Sequence, residues 1–272
     1  MNVTPTHPML DSYYSQDLVF FSILVAVLAS YTALNMTSRV SQSRGRAAAL
    51  WLAGGAFAMG LGIWSMHFIG MLAFNLPIAL GYDLTLTGLS LVAAIGSSAF
   101  ALWLVSRPEL PWRQIAGGAL LMGAGIAAMH YIGMAAMKIA PGIHYLPGLF
   151  ILSILIAVFA SGAALWIAFR LRNSSPRAFF SKALASLVMG AAIMGMHYTG
   201  MAAAQFPAES LCGALYTGLN TQWLATVVII VTLAVFAIAF VLSMLDAHAA
   251  RLSTSLHQAH DELLKLALHD SL

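Results

Sequence analysis

Seven stretches of this chain stay apolar for about 20 residues or more, and that one property leaves few folds open. They lie near 17–38, 47–72, 84–105, 114–137, 148–170, 183–205 and 220–245. At about 1.5 Å per residue, some 20 helical residues cross a hydrocarbon core of about 30 Å. Lipid offers no water to satisfy open backbone, so only helices and closed barrels span it, and these runs are too long and too uniform for barrel strands. The expected fold is all-α, a seven-transmembrane helical bundle. Only 8% of the residues are charged, against about a quarter in a soluble domain.

The basic residues orient the bundle. Arg39, Arg44 and Arg46 follow the first run, Arg107 and Arg113 the third, Arg170, Arg172, Arg177 and Lys182 the fifth, and Arg251 and Lys265 the seventh, which leaves Lys138 alone on the other side. The positive-inside rule makes the crowded face cytoplasmic, with the N-terminus periplasmic and the C-terminus cytoplasmic. The expected location is the bacterial inner membrane, with the lipid bilayer as the main partner. The pI near 9.2 is accounted for by this topology and calls for no nucleic-acid partner. No basic n-region precedes the first run, so it reads as a retained span. Cys212 is the only cysteine, which excludes an intrachain disulfide.

The chain repeats itself internally. Residues 59–71 read MGLGIWSMHFIGM, 122–134 read MGAGIAAMHYIGM, and 189–201 read MGAAIMGMHYTGM. A shared alanine follows each (Ala73, Ala136, Ala203), then a proline (Pro77, Pro141, Pro207). The odd runs agree as well, since Ser30, Ser98 and Ser161 each precede an arginine by nine residues. Three helical hairpins of the same sense, plus a seventh helix, therefore predict a pseudo-threefold bundle. Each motif closes an outward-running helix, which places His67, His130 and His197 near the periplasmic face.

On a helical wheel His67 and Met71 share one stripe, as do His130 with Met134 and His197 with Met201. Small residues beside them allow close helix approach. Soft thioethers with imidazoles and no thiolate favour copper, particularly Cu(I), over harder ions. Haem with axial His or Met is the alternative cofactor, although two axial positions account less well for three copies. One histidine of this kind is ordinarily a packed residue, but three in equivalent membrane positions point to function. His144, His7, Asp83 and Glu209 are weaker outer-face candidates, and the tryptophans lie mostly where interfacial anchors belong.

The ending MLDAHAARLSTSLHQAHDELLKLALHDSL differs in kind. Leu245, Leu252, Ala259 and Leu266 recur every seven residues, with Ala249, Leu256 and Leu263 interleaved. This is the pattern of a helix that forms a homodimer in the cytoplasm.

The Met-His-aromatic cores resemble the MHYT family of bacterial membrane sensor domains, most closely in Met196, His197, Tyr198 and Thr199; copies one and two read MHFI and MHYI. The resemblance covers about 18–245. It implies copper binding by Met66, His67, Met71, Met129, His130, Met134, Met196, His197 and Met201, and sensing of a diatomic gas such as O2, CO or NO. LALHDSL resembles the lead-in to a GGDEF diguanylate cyclase domain. The expected organisation is a membrane sensor over 1–245 and a signalling helix over 246–272 leading to an output domain that turns over cyclic di-GMP. The fragment itself carries no catalytic loop and is expected to have no nucleotide activity. Two other functions stay open. A copper transporter or chaperone would need a second ligand set in the inner half, and a haem-binding membrane protein, such as a small oxidoreductase using haem or copper, would need a substrate site that the sequence does not show.

Overall fold

The structure is a computed structural model that describes residues 8–172, 178–215 and 218–269. His7, Arg177, Ser271 and Leu272 lie outside the described residues.

Seven helices follow in order: α1 Gln16–Gln42, α2 Gly45–Ala73, α3 Leu84–Val105, α4 Trp112–Ala135, α5 Pro147–Leu171, α6 Ala178–Ala203 and α7 Thr221–His269. The first six are long and apolar enough to cross a membrane, and α7 adds a shorter apolar stretch over Thr221–Ala237. Helices α1 to α6 close a ring in chain order, with α6 returning to α1, while α7 stands outside it against α2. The all-α expectation holds. Helix α7 runs without a break through residue 245, so its apolar stretch and the more polar stretch that follows share one continuous rod.

Two details differ from the sequence reading. Helix α6 begins earlier than expected, so Lys182 lies within it and is buried, with its ammonium on Ser38 Oγ at 2.8 Å and Asn35 Oδ1 at 3.2 Å. Polar side chains of α1 substitute for the water that a flanking lysine would otherwise seek. Trp64, expected among the interfacial anchors, is instead a buried interior residue, and its indole N–H donates to Ser90 Oγ at 2.9 Å.

The outer end of the bundle carries a cap of four two-residue antiparallel pairs. β1 (Tyr13–Tyr14) pairs with β2 (Phe74–Asn75), β3 (Gly81–Tyr82) with β8 (Leu219–Asn220), β4 (Ile139–Ala140) with β7 (Leu211–Cys212), and β5 (His144–Tyr145) with β6 (Ala204–Gln205). Beneath them run three equivalent staples. The N–H groups of Ser15, Asp83 and Leu146, which precede the odd helices, donate to the carbonyls of Ala73, Ala136 and Ala203 at 2.9, 2.8 and 2.8 Å. The alanines shared by the repeats are thus the points where the end of an even helix is tied to the start of an odd one.

Candidate metal centre

The three motif histidines meet on the bundle axis. His67 comes from α2, His130 from α4 and His197 from α6, each 1% exposed. Their ring centroids stand 4.8, 5.2 and 5.2 Å apart. The Nδ1 atom of His67 lies 3.1 Å from that of His130 and 3.2 Å from that of His197. One ligand atom from each ring can be chosen so that all lie within 4.8 Å of one another.

Glycine makes this convergence possible. A Cβ on Gly133 would overlap Nε2 of His67, one on Gly200 would overlap Nε2 of His130, and one on Gly70 would overlap Nε2 of His197. Each imidazole therefore lies against the motif glycine of the next even helix, and the three contacts close a ring. His and Gly, three residues apart in every repeat, are two halves of one interlock.

A second interlock joins even helices to odd ones. Ser22, Ser90 and Ser153 each donate a hydroxyl to the carbonyl three residues earlier, at 2.7 Å. Each serine then accepts from the neighbouring even helix: Ser153 from Tyr131 at 2.6 Å, Ser22 from Tyr198 at 2.8 Å, and Ser90 from the Trp64 indole. Phe68 has no hydroxyl to offer, and Trp64 one turn earlier supplies the missing donor. Tyr131 and Tyr198, the aromatics after the second and third histidines, and Trp64 in the first repeat are accordingly anchors to a neighbouring odd helix.

The donor chemistry fits a metal ion better than it fits the apo rings. His67 Nδ1 has either one hydrogen or one lone pair for its two Nδ1 neighbours, so both contacts cannot be good hydrogen bonds. All three Nε2 atoms are buried with no hydrogen-bond partner. An ion held at about 2.0 Å by several nitrogens keeps them roughly 3.3–3.5 Å apart, close to the two spacings to His67 found here. A macrocycle does not fit between rings whose centroids are this close.

The six motif methionines are buried. Met66, Met71, Met129, Met134 and Met201 belong to one core cluster and Met196 to a second. The geometry gathers the imidazoles; the thioethers surround them as core. The weaker candidates lie elsewhere. His144 is exposed in β5. Asp83 caps α3 by accepting from the Leu86 N–H at 2.9 Å, and it pairs with Lys138 at 2.5 Å. Cys212 is buried in the cap, its thiol donating to the Met137 carbonyl at 3.0 Å. Burial, reinforced by Tyr198, pushes the Tyr14 phenol of the cap up to about 12, which keeps that hydroxyl uncharged at neutral pH.

Among the described residues, helix α7 packs chiefly on the first repeat, against α2. The hydroxyls of Ser65 and Thr232 are hydrogen-bonded at 2.5 Å, and Phe236 packs where a Cβ on Gly62 would stand. The equivalents of Ser65 are Ala128 and Gly195. This contact was missed in the sequence, although the serine is the one hydroxyl among three otherwise matching positions.

The model of a family described as MHYT, bacterial signalling protein N terminal repeat, matches residues 5–50, 60–118, 123–181 and 190–254. The chain belongs to the MHYT family. Three of the matches each run from a motif helix into the helix that follows it, α3, α5 and α7, and the first covers α1 and the start of α2. Among curated relatives, the bifunctional diguanylate cyclase/cyclic di-GMP phosphodiesterase MucR of Pseudomonas aeruginosa is 65% identical over 97% of this chain and 39% of its own length. The cyclic di-GMP phosphodiesterase NbdA of the same species is 48% identical over 70% of this chain and 24% of its own. The signaling protein YkoW of Bacillus subtilis is 39% identical over 88% and 29%. The chain thus spans well under half the length of these relatives. No solved structure matches it.

Proposed function

We propose that this chain is the membrane sensor of a bacterial cyclic di-GMP signalling protein, and that it holds a metal ion at the triad of His67, His130 and His197. The observation that carries the reading is the convergence of three buried Nδ1 atoms whose mutual contacts cannot all be hydrogen bonds. Copper is the metal of choice, because the surrounding Met66, Met71, Met129, Met134, Met196 and Met201 offer soft sulfur that harder ions do not use. Bound there, copper would supply an open position for a diatomic ligand. The chain's own residues do the rest: the glycine interlock orients the rings, the cap excludes outer water, and the Ser65–Thr232 bond ties α2 to α7.

Signalling requires two packings that a ligand binds with different affinity. A change in the tilt of α2 at His67 reaches Ser65, two residues away along the helix, passes through its hydrogen bond to Thr232 of α7, and α7 carries it out of the membrane. The names of MucR and NbdA support cyclic di-GMP turnover as the output of the full-length protein, and the exposed Leu252 and Leu256 support a homodimer through α7. The inner membrane, with the cap periplasmic, follows from the arginine bias.

The test is metal analysis of the purified protein, wild type against His67→Ala, His130→Ala and His197→Ala. About one copper per chain is expected, lost in each variant. A metal content unchanged by all three substitutions would overturn the reading.

A further inference from the structure

One helical turn below the triad, the bundle leaves a partly open void that the metal reading does not use. Its volume is about 50 Å3, and a second of about 30 Å3 adjoins it toward the cytoplasmic side. The repeats build it symmetrically. Ile63, Ile126 and Ile193, each four residues before a motif histidine, line the upper void, and Met59, Met122 and Met189 ring the waist that both voids share. Small residues of α1 and α5 complete the wall, and Met196, next to His197, closes the top.

Protein interiors hold few voids larger than a water molecule, so this one needs an occupant or a reason. Water is a poor occupant, since it needs two to four polar partners. The wall offers only the hydroxyls of Ser30 and Ser161, and Ser30 spends its proton on the Ala26 carbonyl at 2.8 Å. Ser161, 1% exposed, makes no hydrogen bond among the described residues. A cation is poorer still, because no carboxylate lines either void to balance it. Apolar cavities of roughly 150 Å3 stay dry and take up benzene or xenon, and about a third of that volume suits one xenon atom or a molecule of two or three heavy atoms.

We infer that this axial void is a binding chamber for a small neutral apolar molecule, with the Ser161 hydroxyl as its single weak hydrogen-bond donor. Such molecules concentrate in hydrocarbon, and the outer end of the bundle is closed by the cap, so the chamber receives its occupant from the bilayer side. Its use as the last station of a diatomic ligand before the triad rests on the sensor reading above. Its occupancy does not.

Xenon is the probe. In 129Xe NMR of the full chain in nanodiscs, a saturable shift is expected for wild type and for Ala163→Leu, whose side chain is on the exposed face of α5. Ala157→Leu, at a wall position, should reduce that shift at least five-fold; Ala33→Val is the milder filling variant should the first not fold. A shift that grows linearly with xenon pressure, or one that filling leaves unchanged, overturns the chamber. Xenon binding with no metal at the triad upholds the chamber and sinks the sensor reading; metal at the triad with no xenon site does the reverse.

Discussion

At the scale of single residues, the motif glycines matter as much as the histidines. Gly133 lies against the His67 imidazole, so adding one methyl there pushes the ring off the axis without removing a ligand. Changes beside a metal ligand typically cost 10- to 100-fold in affinity, and Gly133→Ala should fall in that range in a copper-competition titration. Gly54→Ala, where nothing stands within 4 Å of the new carbon, should leave affinity unchanged. The histidines were legible in the sequence because triplication lifts a polar residue out of an apolar background. The role of the glycines was not, because small residues inside membrane helices are common and the contact each makes lies on a different helix, 66 residues away in the chain for Gly133 and His67. The serines that anchor Tyr131 and Tyr198 were equally silent, although Ser22, Ser90 and Ser153 stand eight residues before Ser30, Ser98 and Ser161 in every copy.

Among the elements, the helices were readable because length and hydropathy alone define a span, and α3 falls on the expected residues. The cap strands were not, since two-residue pairs carry no periodicity of their own. Their rigidity nevertheless has a measurable handle. The Lys138 ammonium, and after it the Leu86 N–H, hold the Asp83 carboxyl below the usual carboxylate range. A carboxyl lowered in the folded state stabilises it above the unfolded pKa and loses that contribution as pH falls through the folded value. Thermal stability should therefore drop on acidification below about pH 4, and Asp83→Asn should flatten that part of the profile. Helix α7 is an element of another kind. It follows α6 as the odd helices follow α2 and α4, yet α1 already fills the place beside α6, so it is displaced onto α2. Its grip there is the Ser65–Thr232 bond. In the full-length protein Ser65→Ala should leave copper content intact while abolishing the metal-dependent change in cyclic di-GMP turnover. Output that still follows the metal in this variant would remove α2 from the path.

For the molecule as a whole, the ring of six helices is close to threefold while the exit is single. The heptad pattern was visible in the sequence, and the described part of α7 leaves Leu252 and Leu256 58% and 65% exposed. On the proposed pairing of two copies through α7, replacing both by glutamate should leave a monomer in analytical ultracentrifugation without changing the metal content. The cap has a consequence in time rather than in affinity. Three backbone staples and four strand pairs cover the imidazoles at that end of the bundle, so an occupant of the proposed centre would pass by that face only when these bonds open. Were the proposed centre loaded, its response would follow the opening of these bonds rather than the momentary concentration on the far side of the cap.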